Sequence, residues 1–384
     1  MSNYIEITYN NNPVVTLEGN IESSIVLNTA DTVMAGNIEV KPYVDSSNLN
    51  EVSLEIAYKG QTLLTTGGSI TRPLVLNTKG RSMNGDITIK QGLPPKKSLE
   101  ETSWDDISMI SQAGVASNYY AVGDVKSVRL NGTVGTLTLD TTFYVYIIGI
   151  NHRDVNGITF QGFKTAASSG KDVCLVDSNY GLVRSGGTKC FNLNHWGNVN
   201  TSPYNTNYGG WKGCDARYDI LGSTNVAPSG YGSTPTTSRV GYDAGTTTAT
   251  SPVSNTLMSC LPADLRSVMQ PMTIYTDNNG NNSNTAANVT TSVDYLPLLA
   301  EFEVFGAQQY ANTYEQNNQT QYAYYAAGNR KAKYKHSSTD DTAYWWERSP
   351  SYNTASNFCS VSAGSYKDTG ASSSSVGLAP AFMV

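Results

Sequence analysis

The chain has 384 residues, of which 15% are charged, and a net charge of −6 at neutral pH. That length exceeds one ordinary domain and suits two or three, and the acidic balance argues against general nucleic-acid binding, which needs a positive field to gather phosphates. Gly (34) and Tyr (25) are abundant; with many Asn, Ser and Thr they favour strands, turns and ordered loops over long helices, while the aromatic area argues against disorder.

The opening residues, MSNYIEITYNNN, have neither a basic n-region nor an apolar h-region, so a Sec signal peptide is not expected. No window approaches the ~18 apolar residues of a membrane span, so the chain is expected to be soluble, with no membrane insertion. Residues 5–41 and 54–90 then align without a gap at a constant offset of 49. They share Glu6/Glu55, Ile7/Ile56, Tyr9/Tyr58, Gly19/Gly68, Val26-Leu27-Asn28/Val75-Leu76-Asn77, Met34/Met83, Gly36/Gly85, Ile38/Ile87 and Lys41/Lys90. This is a tandem duplication. Apolar and polar residues alternate in both copies, the period of half-buried strands, and Gly and Asn mark the turns. Two small all-β modules are predicted, at 1–49 and 50–92, serving as a spacer or docking piece. The Pro- and Lys-containing segment 93–101 reads as a linker to a domain at 102–384.

That domain is predicted to be α+β with few helices. Ser103 followed by Asp106 caps a short helix that carries Ile107 and Ile110 on one face and ends at Gly114. FYVYIIGINH and DVCLVDS read as strands, and LPADLRSVMQ as a helix starting at Pro262 with Leu265, Val268 and Met269 on one side. YLPLLAEFEVFG and TQYAYYAAGN read as helices stopped by Gly306 and Gly328.

No residue pattern carries chemistry. Cys174, Cys190, Cys214, Cys260 and Cys359 include no close pair and no C-x-x-C, which disfavours zinc and a redox dithiol; buried free thiols are the first reading and one or two disulfides the second. His152, His195 and His336 are far apart in sequence, so no metal is expected. TDNNGNN places Asp277, Asn279 and Asn281 like alternate oxygens of a calcium loop, but its twelfth residue is Asn288 and not Glu, which favours a polar hairpin. NRKAKYKH puts Lys331, Lys333 and Lys335 on one face of a strand; a solvated face is the first reading and a patch for acidic glycans or lipopolysaccharide the second. Glu347 either pairs with Arg348 or points outward, and the sequence leaves both open.

SWDDI, ASNYYAVGD, LNGTVGTL, DVCLVDSNYG, GGWKG, LPADLR, YTDNNG, EFEVFG, QYAYYAAGNRKAKYKH, YWWERSP, FCSV and GLAPAF form a nearly continuous series over 101–384. The series resembles a family of phage and bacterial variable proteins whose C-terminal domain has a C-type-lectin-like fold of the formylglycine-generating-enzyme type, diversified by retroelements. The duplicated module is similar to small modules of phage tail and fibre proteins. The resemblance implies that adenine-directed substitution rewrites the 3′ end of the gene, turning AAY codons into Ser, Thr, Tyr, Asp, Gly or Ala without creating stops. The variable region lies at about 344–384, and residues 351–375 are drawn largely from that reachable set, Lys367 being outside it.

The expected ligand-binding residues are Tyr352, Asn353, Thr354, Ser356, Asn357, Ser360, Ser362, Ser365, Tyr366, Asp368, Ser372, Ser373, Ser374 and Ser375, with Tyr352 and Tyr366 as aromatic hot spots. The expected anchors are Trp345, Trp346, Arg348, Phe358, Val361 and Pro380. The resemblance implies a non-enzymatic protein without cofactor, located in the virion, that meets a host cell-surface receptor and joins tail or fibre proteins through its N-terminal modules. Analogy to fibres implies a homo-oligomer, a trimer first. The parent enzyme class uses a pair of reactive cysteines, whereas Cys260 and Cys359 stand alone in their segments. The alternatives are an invariant virion structural or adhesive protein and a lectin of fixed specificity.

Overall fold

A computed structural model describes residues 4–9, 12–18, 38–43, 53–58, 61–67, 87–88, 93–177, 191–192, 206–231, 239–371 and 376–384. The chain divides into two compact units, Met1–Lys97 and Ser98–Val384, with the division inside the segment read as a linker.

In the first unit each copy of the repeat supplies three strands. The first gives β1 (Tyr4–Tyr9), β2 (Asn12–Glu18) and β3 (Ile38–Tyr43); the second gives β4 (Ser53–Tyr58), β5 (Gln61–Gly67) and β6 (Ile87–Thr88). All six lie in one sheet, in the order β2-β1-β5-β4-β3-β6. The duplication extends to an irregularity: the β1–β2 register shifts between Ile7 and Thr8, and the β4–β5 register shifts at the equivalent Ile56 and Ala57. An isolated hairpin is marginal in water. Pairing β1 with β5 and β3 with β4 joins the copies into a wider sheet.

The second unit opens with α1 (Trp104–Gln112), where the Ser103 hydroxyl accepts from the Asp106 amide and Ile107 and Ile110 are buried. After the single turn α2 (Ala116–Tyr119), β7 (Val125–Val134) and β8 (Leu137–Ile150) form a long hairpin, followed by β9 (Ile158–Lys164) and β10 (Asp172–Cys174). Helices α3 (Asp215–Asp219), α4 (Leu257–Cys260) and α5 (Ala263–Val268) are short. The hairpin β11 (Met272–Asp277) and β12 (Val289–Asp294) encloses the TDNNGNN turn. Next come α6 (Glu301–Phe305), α7 (Ala323–Ala326), β13 (Lys333–Lys335) and β14 (Thr342–Ala343). The chain closes with β15 (Trp345–Pro350), β16 (Asn357–Val361), β17 (Lys367–Ala371) and β18 (Ala381–Met383).

The large sheet runs β14-β13-β10-β9-β8-β7, and β18 pairs with β9 as a seventh strand. The chain end is thereby fixed beside the start of the unit. Phe382 stacks on Phe160 at 5.2 Å between centroids, Trp104 meets both rings edge-on, and the Ser111 hydroxyl donates to the Val384 carbonyl. Against this sheet Tyr146, Ile148, Leu299, Val304, Tyr325, Trp345 and Val361 build one buried core.

Two expected helices are much shorter than their apolar runs suggest. Residues 295–300 remain non-helical because their backbone groups serve other segments: the Pro297 carbonyl accepts from the Ala381 amide and the Leu299 carbonyl from the Arg348 amide. Only Glu301–Phe305 coils, ending at Gly306 in the left-handed region (φ 68°). In α7 one turn forms before Gly328 (φ 84°).

Asp294 anchors the loop-rich half. Its carboxylate accepts from Arg217 Nε at 2.6 Å, Ser292 Oγ at 2.6 Å, Ser223 Oγ at 2.9 Å and Trp211 Nε1 at 3.3 Å, and both charged partners are buried. Asp294→Ala leaves a buried guanidinium without its counter-charge and is expected to cost about 3–5 kcal/mol. Chemical denaturation of the two proteins checks this; an unchanged midpoint would show that the pair holds nothing together.

Candidate functional site

The segment singled out by its composition forms a three-stranded antiparallel sheet, β15-β16-β17. Trp345, Trp346, Arg348, Phe358, Val361 and Pro380 are all buried. The indole of Trp345 donates to the Lys331 carbonyl at 2.9 Å. Trp346 and Phe358 pack on Phe191 at 4.7 Å each. Arg348 grips Glu303 with two bonds, of 2.6 and 2.7 Å, and also donates to Thr276 Oγ1 and the Leu298 carbonyl.

The far end of the segment is clipped to its beginning. The Gly377 amide donates to the Tyr344 carbonyl at 3.0 Å, and the Trp346 amide donates to the Gly377 carbonyl at 2.9 Å. A Cβ at Gly377 would collide with Cys174, so no other residue fits there.

The expected contact residues are not gathered at one tip. The β15–β16 turn and the β16–β17 turn lie at opposite ends of β16, whose five residues at ~3.3 Å each span about 16 Å. At one end Asn353 and Thr354 are exposed and Tyr352, Ser356 and Asn357 half-buried. At the other, Tyr366 is 74% exposed and Ser365 half-buried. The edge strand β17, half-exposed throughout and carrying Asp368, connects them. Ser372, Ser373, Ser374 and Ser375 lie outside the described residues, as do Cys190 and His195.

Two of the expected contacts require correction. Ser360 is 1% exposed because it stands opposite Trp346 on the inner face of the sheet, and Ser362 is 7% exposed because it closes a turn. The Ser362 hydroxyl accepts from the Tyr366 amide at 3.0 Å and the Ser362 amide donates to the Tyr366 carbonyl at 2.8 Å. Neither reaches a partner.

The residue that shapes the first turn lies far away in sequence. Buried Asn207 donates from Nδ2 to the carbonyls of Ser351 (3.1 Å), Thr354 (2.8 Å) and Asn357 (2.9 Å), and its amide donates to the Ala355 carbonyl. The backbone is thus fixed while the side chains of 353–354 remain free for contact. Nothing marks Asn207 among the many Asn of the sequence. Gly370 was also missed: a Cβ there would lie 2.6 Å from the Trp346 ring.

Glu347 takes neither of the two courses foreseen for it. It is fully buried, Arg348 turns away to Glu303, and neither carboxylate oxygen has a hydrogen-bond partner. Burial, then the neighbouring Glu301 and Glu315, hold its pKa well above the ordinary carboxylate range. Glu315, which accepts from the Ser349 hydroxyl, is pushed up to about 7 by burial.

Among the described residues the thiols lie where burial disfavours the thiolate. Cys174, Cys214, Cys260 and Cys359 are free and buried. Burial pushes Cys174 up to about 12 and Cys260 to about 11; Cys359 rises further, through burial and then Glu301, Glu347 and Glu315. Among the described residues no group of three or more His, Cys, Asp or Glu is placed to hold a metal ion. In the TDNNGNN turn the buried Asp277 accepts from the Asn279 and Gly280 amides and from Asn312 Nδ2, which makes it a turn brace.

The family described as domain of unknown function (DUF6273) matches residues 192–384, half of the chain, and the chain belongs to it. The matched residues include Asn207 and the whole of β15–β17. No curated protein matches the chain, and no solved structure matches it. No helix of the described residues is long and apolar enough to cross a membrane.

Asn207→Ala removes the Nδ2 bonds to three carbonyls and is expected to cost about 2–3 kcal/mol, with protease nicking focused between Ser351 and Asn357. A melt and limited proteolysis check both, and a uniform loss of protease resistance would contradict the local role.

Glu347 carries a pH signature. The unfolded chain releases this proton above about 4.5, its ordinary value, while the folded chain retains it. The group therefore costs stability as pH rises above that value, and the cost is absent below it. Glu347→Leu is expected to stabilise by about 1–3 kcal/mol at pH 8 and by less at pH 5. The same gain at both pH values, read from thermal unfolding, would contradict a buried protonated carboxyl. His152 and His336, whose pKa values burial lowers, are present in both proteins and drop out of the difference.

Proposed function

We propose that this chain is a non-enzymatic receptor-binding protein of a phage or prophage. It displays the β17 edge and its two flanking turns to a host surface, while the N-terminal sheet attaches it to a tail or fibre in the virion. One observation carries the reading. Within a single short sheet, large apolar and paired charged side chains are buried, whereas Asn353, Thr354 and Tyr366 project from turns whose backbones are held by other residues. Side chains in such positions change at little cost to stability, and Tyr, Ser and Asn are the residues of adaptable binding faces.

On this reading the C-terminal domain is a C-type-lectin-like scaffold and a retroelement diversifies the exposed positions. Polar contacts of this kind are individually weak, so a homo-oligomer, with a trimer as the first expectation, multiplies them.

The test is deep sequencing of codons 340–384 in the population that carries the gene. Substitutions are expected at adenines in the codons for Tyr352, Asn353, Thr354, Tyr366 and Asp368, with the codons for Trp345, Trp346, Phe358 and Pro380 unchanged. Substitutions spread evenly over exposed and buried codons, or a frozen 3′ end, would overturn diversified display.

A further inference from the structure

The chain has 31 acidic and 25 basic residues, yet one end of the large sheet gathers several cations against aromatic rings. Two cations bracket the Tyr334 ring: Lys171 Nζ lies 4.3 Å from its centroid and the Arg330 guanidinium carbon 4.9 Å. Arg330 also donates to the Tyr334 hydroxyl at 2.7 Å. Lys164 Nζ lies 4.6 Å from the Tyr146 ring and 6.0 Å from that of Tyr324. Lys331 and Lys367 each lie 5.7 Å from the Phe305 ring.

These groups gather at one end of the large sheet, where Lys164 closes β9, Lys171 precedes β10, and Arg330 and Lys331 precede β13. Tyr146 and Tyr324 are 4.7 Å apart, and β10 pairs with β13, which brings Asp172 and Lys333 together. The Ala332 amide donates to Ser365 Oγ at 2.8 Å, which ties the basic segment to the turn that carries Tyr366.

The solvated lysine face expected from sequence is corrected here. Lys333 is 1% exposed, because its ammonium bonds Asp172 Oδ2 at 2.6 Å and the Tyr146 hydroxyl at 3.0 Å. That pairing engages Oδ2 of Asp172, the carboxylate that stands opposite Lys164 across the β9–β10 pair. Among the described residues, none of Lys164, Lys171, Arg330, Lys331 and Lys367 is within salt-bridge distance of a carboxylate, and each is exposed or half-exposed. Exposed cations gathered without a carboxylate in direct contact raise the local positive potential, which draws anions.

The chemistry of the patch selects among anions. A nucleic acid carries one charge per ~1.7 Å of duplex, and the net charge of −6 opposes so dense a polyanion. A polymer with one carboxylate per sugar is less dense, and its flat pyranose faces suit the exposed ring of Tyr366.

We propose that this face binds an acidic polysaccharide of the uronate type, with Lys164, Lys171, Arg330, Lys331 and Lys367 receiving carboxylates and Tyr366 stacking on a sugar ring. The inference deepens the display reading, and rests on it for the claim that this face meets a cell surface. Three kinds of group would act together: fixed cations, rings that hold them in place, and one exposed aromatic on the adjoining turn.

The experiment is isothermal titration of the full chain with oligogalacturonate, a neutral dextran oligosaccharide and a double-stranded DNA oligonucleotide, at low and high salt. Oligogalacturonate is expected to bind, with affinity falling as salt rises; dextran is expected not to bind, and DNA to bind at least about tenfold more weakly. The double substitution Lys171→Gln and Arg330→Gln, at two exposed positions, is expected to leave the melt unchanged and to weaken oligogalacturonate by about tenfold or more. If that pair perturbs folding, Lys367→Gln alone is expected to weaken binding at unchanged stability. Absence of oligogalacturonate binding, tighter DNA binding, or unaltered affinity in well-folded variants would overturn the proposal. A chain that adheres to host cells yet ignores oligogalacturonate loses this ligand class and keeps the display reading. One that binds it through these cations while its 3′ codons are frozen keeps the ligand class and loses diversified display.

Discussion

The C-terminal domain depends on the buried guanidinium of Arg348. It lies where β15, β11 and α6 converge, and it bonds Glu303 twice, Thr276 once and the Leu298 carbonyl once. A buried charge is costly unless paired and fully hydrogen-bonded, so Arg348 fixes the direction in which β15 leaves the core. Glu303 in turn has its carboxyl held below the ordinary range by Arg348, against the opposing effect of burial. Strand β16 hangs on β15 and β17 on β16, so the register of the whole small sheet is set from this point.

The same sheet separates two demands that usually conflict. Stability resides in Trp345, Trp346, Phe358 and Val361, whose apolar area is removed from water, and in backbone bonds such as the clip between Gly377 and Tyr344. Exposed side chains contribute little to that total. The turn at 351–357 is held through its carbonyls by Asn207, and the turn at 362–366 through the Ser362 hydroxyl. Because the supports touch backbone, the identity of Asn353, Thr354 or Tyr366 is left unconstrained by folding. The segment that carries Arg330 and Lys331 is tied to the second turn by the Ala332 amide, which donates to Ser365 Oγ.

Much of this was legible in the sequence. The period-2 runs gave strands in the N-terminal repeats, the apolar runs FYVYIIGINH and DVCLVDS gave β8 and β10, Ser103 and Asp106 marked the start of α1, and Trp345, Trp346 and Phe382 lie buried as their size suggested, although Tyr344 beside them is exposed. The parts that were not legible share a physical cause: each depends on a partner distant in sequence. Asn207 acts on carbonyls some 150 positions later. Lys333 is buried because Asp172 lies on the neighbouring strand, although alternation alone puts it on an outward face. Ser360 and Ser362 share the composition of the contact residues, and only the pairing with Trp346 and the tight turn to Tyr366 turn them inward. Glu347 defeated both local readings because Arg348 found a better-placed acid on α6.

The central claim is that folding constrains the buried positions of this sheet and leaves the exposed ones open. Saturation mutagenesis of residues 344–371 in the full chain, scored by protease resistance, tests it directly. The account predicts that Asn353, Thr354 and Tyr366 accept most side chains, aromatic ones included, while Trp345, Trp346, Arg348, Phe358 and Val361 accept few. Equal intolerance at the exposed turns and the buried strands would contradict it.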